Sequence, residues 1–229
     1  MAWSPVPVPM LTPHVAISAT GRRVAGVIAT IAWVALELQV IISAGVMTAA
    51  GHTLLDAVGT SLSFFTVVTN LLVAITLTRV ARRHWPGGAA PDHSAITGVV
   101  LVIAIVGAAY GTLLPGPELA MGPLWWTADR MLHSLMPAAT VLWWFAFVPT
   151  HTLTYRDPLA WLILPVSFLI YGLVRGAFDG WHPYFFINAS AIGYRLTLTN
   201  AAMLTSAMFV AGCLVVTGAR VVAFLGSQR

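Results

Sequence analysis

The stretch SFFTVVTN, residues 63–70, sets Ser63, Thr66 and Asn70 among phenylalanines and valines. Spaced i, i+3, i+7, the three share one face of a helix, and Gly59 carries that polar stripe back by a turn. A hydroxyl becomes a nucleophile when a neighbouring base takes its proton and a further group orients the base. Thr66 supplies the hydroxyl. The base is His133, the one histidine well inside an apolar segment. Asp129 (at i−4 from His133), Tyr171 and Glu37 are groups able to orient or tune the imidazole. Arg130 and Arg175 suit a substrate carboxylate or a developing oxyanion, and Asn70 an oxyanion or a head group.

The segments that must position these groups are made for lipid. Of 229 residues, 59% are hydrophobic and 8% charged, against about 25% charged in soluble domains. Six apolar segments lie at roughly 23–48, 57–79, 95–115, 124–148, 159–179 and 191–217. Each approaches the ~20 residues with which a helix crosses a bilayer core. The expected fold is all-α, a polytopic six-helix transmembrane bundle over 22–229. An irregular, proline-bearing lead over 1–21 precedes it, without the basic start and continuous apolar run of a signal peptide. Turn-forming linkers such as RRHWPGGAAPDHS and PGPELAMGP separate the segments.

All 11 basic side chains are arginine, and the formal net charge is +4. Most of the arginines fall on one side of the membrane if both termini share it, which makes that side the cytoplasm of a cell whose inner (plasma) membrane holds the chain. The basic excess therefore marks topology, and no nucleic-acid partner is expected. Trp125, Trp126, Trp181, Tyr184 and Phe185 gather at the outer boundary as an interfacial aromatic belt. Counted at about 1.5 Å per residue from the outer ends, Thr66 and His133 both lie about 13 Å below the outer surface, and Tyr171 about 12 Å. Glu37 lies deeper, near the midplane. The polar groups thus converge on the outer half of the bundle, over an apolar inner half.

Each group also has a plainer reading. A transmembrane Thr often bonds its own i−4 carbonyl, Ser63 and Asn70 serve as interhelical glue, and His133 is a satisfied core histidine. Arg175 and Asp179 form an ion pair, and Arg195 snorkels to the interface. Other chemistries lack their residues: the chain has no HExxH, GxSxG, P-loop or GxGxxG pattern. The single cysteine, Cys213, excludes an intramolecular disulfide. No cofactor and no metal are expected.

FFTVVTNLL, LHSLMP, YGLVRG and GWHPYFF, taken in order, resemble a bacterial six-helix membrane family distantly similar to the androgen-induced and androgen-dependent multi-pass threonine hydrolases. The likeness spans about residues 22–217. It implies that Thr66 is the nucleophile and His133, with Pro137 after it, the essential histidine. It also implies cleavage of fatty acid esters of hydroxy fatty acids. Asn188 stands where close bacterial relatives carry an acidic residue.

The expected function is therefore a membrane-embedded hydrolase that cleaves a lipid ester with Thr66 and His133. Its partner is a membrane lipid or other acyl-chain substrate. A rival reading keeps the pocket without covalent chemistry, as a binding or transport site for an anionic lipid or a small carboxylate.

Overall fold

The computed structural model describes residues 16–83, 92–113 and 122–227. All regular structure among them is helical. The order is α1 (Ala19–Ala49), α2 (Leu54–Ser61), α3 (Phe65–Arg82), α4 (His93–Leu113), α5 (Pro123–Arg130), a π turn (Met131–Leu135) and α6 (Met136–Phe147). Then come α7 (Asp157–Trp161), α8 (Ile163–Asp179), a short 3₁₀ turn (Phe185–Ile187) and α9 (Ala189–Ser227), which bends at Gly193. Among the described residues, five stretches are long and apolar enough to cross a membrane: α1, α3, α4, α7 with α8, and α9.

Three expectations change. The predicted segment over 124–148 is three consecutive pieces, α5, the π turn and α6. The predicted helix over 57–79 is broken at 62–64, so Thr66 opens α3 and does not sit within a longer helix. The irregular lead over 1–21 falls mostly outside the described residues, but helix begins at Ala19, where Ser18 Oγ accepts the Gly21 amide at 3.0 Å. The linkers 84–91 and 114–121 also lie outside the described residues.

Local chemistry explains the boundaries. Thr53 and Asp56 form a reciprocal capping box that starts α2: the Thr53 amide donates to Asp56 at 2.9 Å and the Asp56 amide to the Thr53 hydroxyl at 3.2 Å. The α2–α3 break carries two serines whose hydroxyls turn back on carbonyls, Ser61 to Ala57 at 2.9 Å and Ser63 to Gly59 at 2.7 Å. Such bonds compete with the helical ladder, and Phe64 adopts an extended conformation before α3 begins. At the far end of α8, Gly180 takes the left-handed conformation (φ 74°) that ends the helix and turns the chain back toward α3.

The core joins α1, α3, α4 and α6. Ala25, Ala29, Ala32 and Ala35 are all buried on α1, and small residues at such spacing let helices approach closely in lipid. Indole N–H groups stitch the bundle across its thickness, Trp143 to the Gly21 carbonyl at 2.8 Å and Trp144 to Thr97 at 3.0 Å. A smaller cluster of Leu101, Leu153, Trp161, Val216 and Ala219 fastens α7 and α9 to α4. The helix α8 buries little of itself, only Gly172 and Gly176.

The π turn has an identifiable cause. Pro137 has no N–H to offer the His133 carbonyl four residues back, and its ring would collide with that carbonyl in a regular α-helix. The chain instead inserts an extra residue, with the Met136 amide donating to the Met131 carbonyl, i to i−5. Gly107 of α4 faces this bulge: a Cβ there would come within 2.8 Å of Pro137 Cβ and 3.3 Å of the His133 carbonyl oxygen. Gly107→Ala is expected to destabilise the protein by about 1–3 kcal/mol, read as a lowered thermal unfolding midpoint in detergent. Gly111→Ala, whose added Cβ meets nothing within 4 Å, is expected not to lower it.

Candidate active site

Thr66 is the second residue of α3, and His133 is the middle residue of the π turn. The two meet: His133 Nε2 lies 3.1 Å from Thr66 Oγ1. The other ring nitrogen, Nδ1, faces oxygen only, 3.1 Å from Asp129 Oδ1 and 3.1 Å from the Asp129 carbonyl. With acceptors alone around it, Nδ1 carries the ring hydrogen, which leaves Nε2 to accept from the Thr66 hydroxyl. Tyr110 completes the arrangement from α4. Its hydroxyl donates to Asp129 Oδ2 at 2.5 Å, and its ring stacks on the imidazole with centroids 4.0 Å apart. The imidazole is therefore held in its plane by Tyr110 and in its rotation by Asp129.

Thr66 is buried, and its hydroxyl bonds His133 and no carbonyl of its own helix. On its other side lies an apolar cavity of about 140 Å³ between α3 and α4 on one flank and α8 and α9 on the other, with Thr66, Val106, Phe168, Tyr184 and Met208 in its wall. The nucleophile candidate thus stands on the boundary between a polar trio and a chamber that carries no charged side chain among the described residues of its lining. That boundary is what an acyl-transfer site needs, with proton transfer on one side of the hydroxyl and an apolar group on the other.

Six further residues were expected near a substrate, and none of them lines this cavity. Asp129 stands behind the imidazole. Asn70, fully buried, donates from Nδ2 to the Thr66 carbonyl at 2.8 Å and to the Leu132 carbonyl at 3.2 Å. It ties the π turn to α3 and satisfies a carbonyl of the bulge. Arg130 lies 3.6 Å from Asp129 Oδ2, with its guanidinium 5.7 Å from the Tyr110 ring centre and 6.0 Å from that of Trp126. Tyr171 and Arg175 form a separate cluster toward the C-terminal end of α8. Tyr171 and Ser63 hydroxyls are 2.6 Å apart, Arg175 donates to both hydroxyls and to Asp179 at 3.0 Å, and the guanidinium covers Trp181 at 4.1 Å. This cluster fastens α8 to the α2–α3 break. Glu37 is exposed on α1 and bonds none of the described residues.

Sequence reasoning missed Tyr184, which it read as part of the aromatic belt. The loop after Gly180 folds inward, and the Tyr184 hydroxyl accepts the Phe65 amide at 2.9 Å, beside the Thr66 hydroxyl and amide. Burial holds the phenol above its ordinary range. Among the described residues, no group of three or more His, Cys, Asp or Glu is placed to hold a metal ion.

Asn70→Ala is expected to lower stability by about 1–3 kcal/mol by stranding the Leu132 carbonyl in an apolar setting. Asn70→Asp is expected not to rescue it, since a carboxylate has no N–H to donate; thermal unfolding of the purified variants checks both. In comparison with known proteins, the chain matches no family model, no curated protein and no solved structure.

Proposed function

We propose that the chain is an integral membrane hydrolase that cleaves lipid esters with Thr66 as nucleophile and His133 as base. The observation that carries this reading is the 3.1 Å contact between His133 Nε2 and Thr66 Oγ1, backed by the Asp129 carboxylate 3.1 Å from Nδ1. Nucleophile, base and orienting carboxylate form the sequence of contacts by which an unreactive alcohol is activated. Thr66 Oγ1 attacks the ester carbonyl as its proton passes to His133 Nε2. Asp129 steadies the imidazolium that results. The alcohol half departs with that proton, leaving an acyl-threonine, and water delivered through the same histidine releases the acid. The acyl chain occupies the apolar cavity. The substrate class, fatty acid esters of hydroxy fatty acids, follows from the motif resemblance.

In this reading α5, the π turn and α6 together make a sixth crossing. Both termini lie in the cytoplasm, and the protein resides in the inner membrane. The rival function, a carrier of an anionic lipid or small carboxylate, calls for a cation in the pocket; the described residues that line the cavity beside Thr66 include none.

The test is labelling of the purified protein by a fluorophosphonate bearing an alkyl chain. Wild type is expected to label at Thr66, and Thr66→Ala and His133→Ala are expected not to. Asp129→Asn is expected to slow labelling by about 10²–10⁴-fold. Labelling that persists in Thr66→Ala sinks the mechanism.

A further inference from the structure

A helix that starts in an apolar interior presents amide N–H groups with no partner in its own ladder. For α3 the N-cap residue is Phe64, which has no side-chain acceptor. Tyr184 takes that place from a distant loop, accepting the Phe65 amide at 2.9 Å with the Thr66 amide facing the same oxygen. A phenol oxygen has two lone pairs and one hydrogen. When its lone pairs are turned to the amides of a helix start, its hydrogen points away from them. Away from them lie the Thr66 hydroxyl oxygen, which faces the phenol, and the cavity whose wall both residues share, so an ester carbonyl entering there competes with Thr66 for that hydrogen.

The ring is fixed for this task. It stacks parallel on Phe186 with centroids 5.2 Å apart and meets Phe64 edge-on at 6.4 Å. Accepting from amides at the positive end of a helix also makes an O–H a better donor.

We infer that Tyr184 is a catalytic residue whose O–H donates to the carbonyl oxygen of the ester as Thr66 attacks it. This rests on the hydrolase reading above and adds to it the group that receives the developing charge. As the Thr66 oxygen bonds the carbonyl carbon, the carbonyl π pair moves onto its oxygen, and the Tyr184 hydrogen bond shortens onto that oxyanion. The Thr66 proton is on His133. When the oxyanion collapses, the bond to the alcohol oxygen breaks and that oxygen leaves with the histidine's proton. Tyr184 keeps its own proton throughout, and its burial favours the neutral phenol. Asn70 cannot fill this role, because its N–H groups are spent on the Thr66 and Leu132 carbonyls.

The experiment uses the full chain in detergent with a p-nitrophenyl ester of a medium-chain fatty acid. Tyr184→Phe is expected to lower kcat by about 100-fold with KM little changed, the loss typical of one oxyanion donor. A kcat within about threefold of wild type overturns the inference while leaving Thr66 and His133 in place. Phe also removes the cap of α3, so a second substitution separates the two roles. Tyr184→2,3-difluorotyrosine retains the hydroxyl and makes it more acidic. A changed kcat at an unchanged unfolding midpoint supports oxyanion donation, and an unchanged kcat reduces Tyr184 to a structural cap. A wild-type protein that neither labels nor turns over the ester sinks the hydrolase reading itself, and this inference with it.

Discussion

A helix begins inside the bundle at Phe65, and its first amides must find acceptors where water is scarce. Much of the structure around Thr66 follows from that requirement. The break that creates the helix start is made by Ser61 and Ser63, whose hydroxyls are drawn onto carbonyls of the preceding turn. The amide left open at Phe65 draws in Tyr184. For Tyr184 to reach it, the chain must reverse after Asp179, which Gly180 allows, and the reversal brings Trp181 edge-on against Phe64. The same break exposes the Ser63 hydroxyl to Tyr171 and Arg175. One unsatisfied helix start thereby organises a loop, a polar cluster and one wall of the cavity.

The molecule has two parts of different firmness. The helices α1, α3, α4 and α6 share a continuous buried core, rich in small residues and crossed by indole hydrogen bonds. Beside it, α8 is fastened chiefly at its ends: at one end by the Ser63–Tyr171–Arg175 cluster, at the other by α7, whose Trp161 indole donates to Ser94 at 3.2 Å. The apolar cavity lies between the firm part and the lightly packed one. Thr66 and His133 belong to the firm part, and the cavity beside Thr66 is closed on its other side by the lightly packed one.

Much of the site was legible in the sequence. Depth along the segments paired Thr66 with His133, because a hydroxyl and an imidazole at equal distance from one membrane face are placed to meet. The i−4 spacing put Asp129 on the same helical face as His133, and i+4 paired Arg175 with Asp179. What was not legible depends on contacts distant in sequence or on departures from a regular period. FFTVVT reads as ordinary apolar helix, and nothing in its periodicity announces the extended Phe64. Tyr184 joins Phe65 across more than a hundred residues, a pairing that no local pattern encodes. Asn70 sits at helical spacing from Thr66 but turns its amide to carbonyls, because the π turn leaves the Leu132 carbonyl for it to satisfy. Glu37, grouped with the pocket as an acid in mid-span, is exposed on α1; position along a span says nothing about direction around its axis.

The π turn also sets a phase. One residue more than an α turn rotates everything ahead of it by about 100° relative to everything after it. Asp129, Arg130 and Trp126 are therefore wound onto a different flank from the one that α6, extended backward as a regular helix, would assign them. Homologous chains can be sorted on this point by length alone. A sequence with one residue fewer between the positions of His133 and Pro137 would turn the imidazole and its carboxylate together by about 100° relative to α6, away from the hydroxyl they now face, even if every side chain were kept.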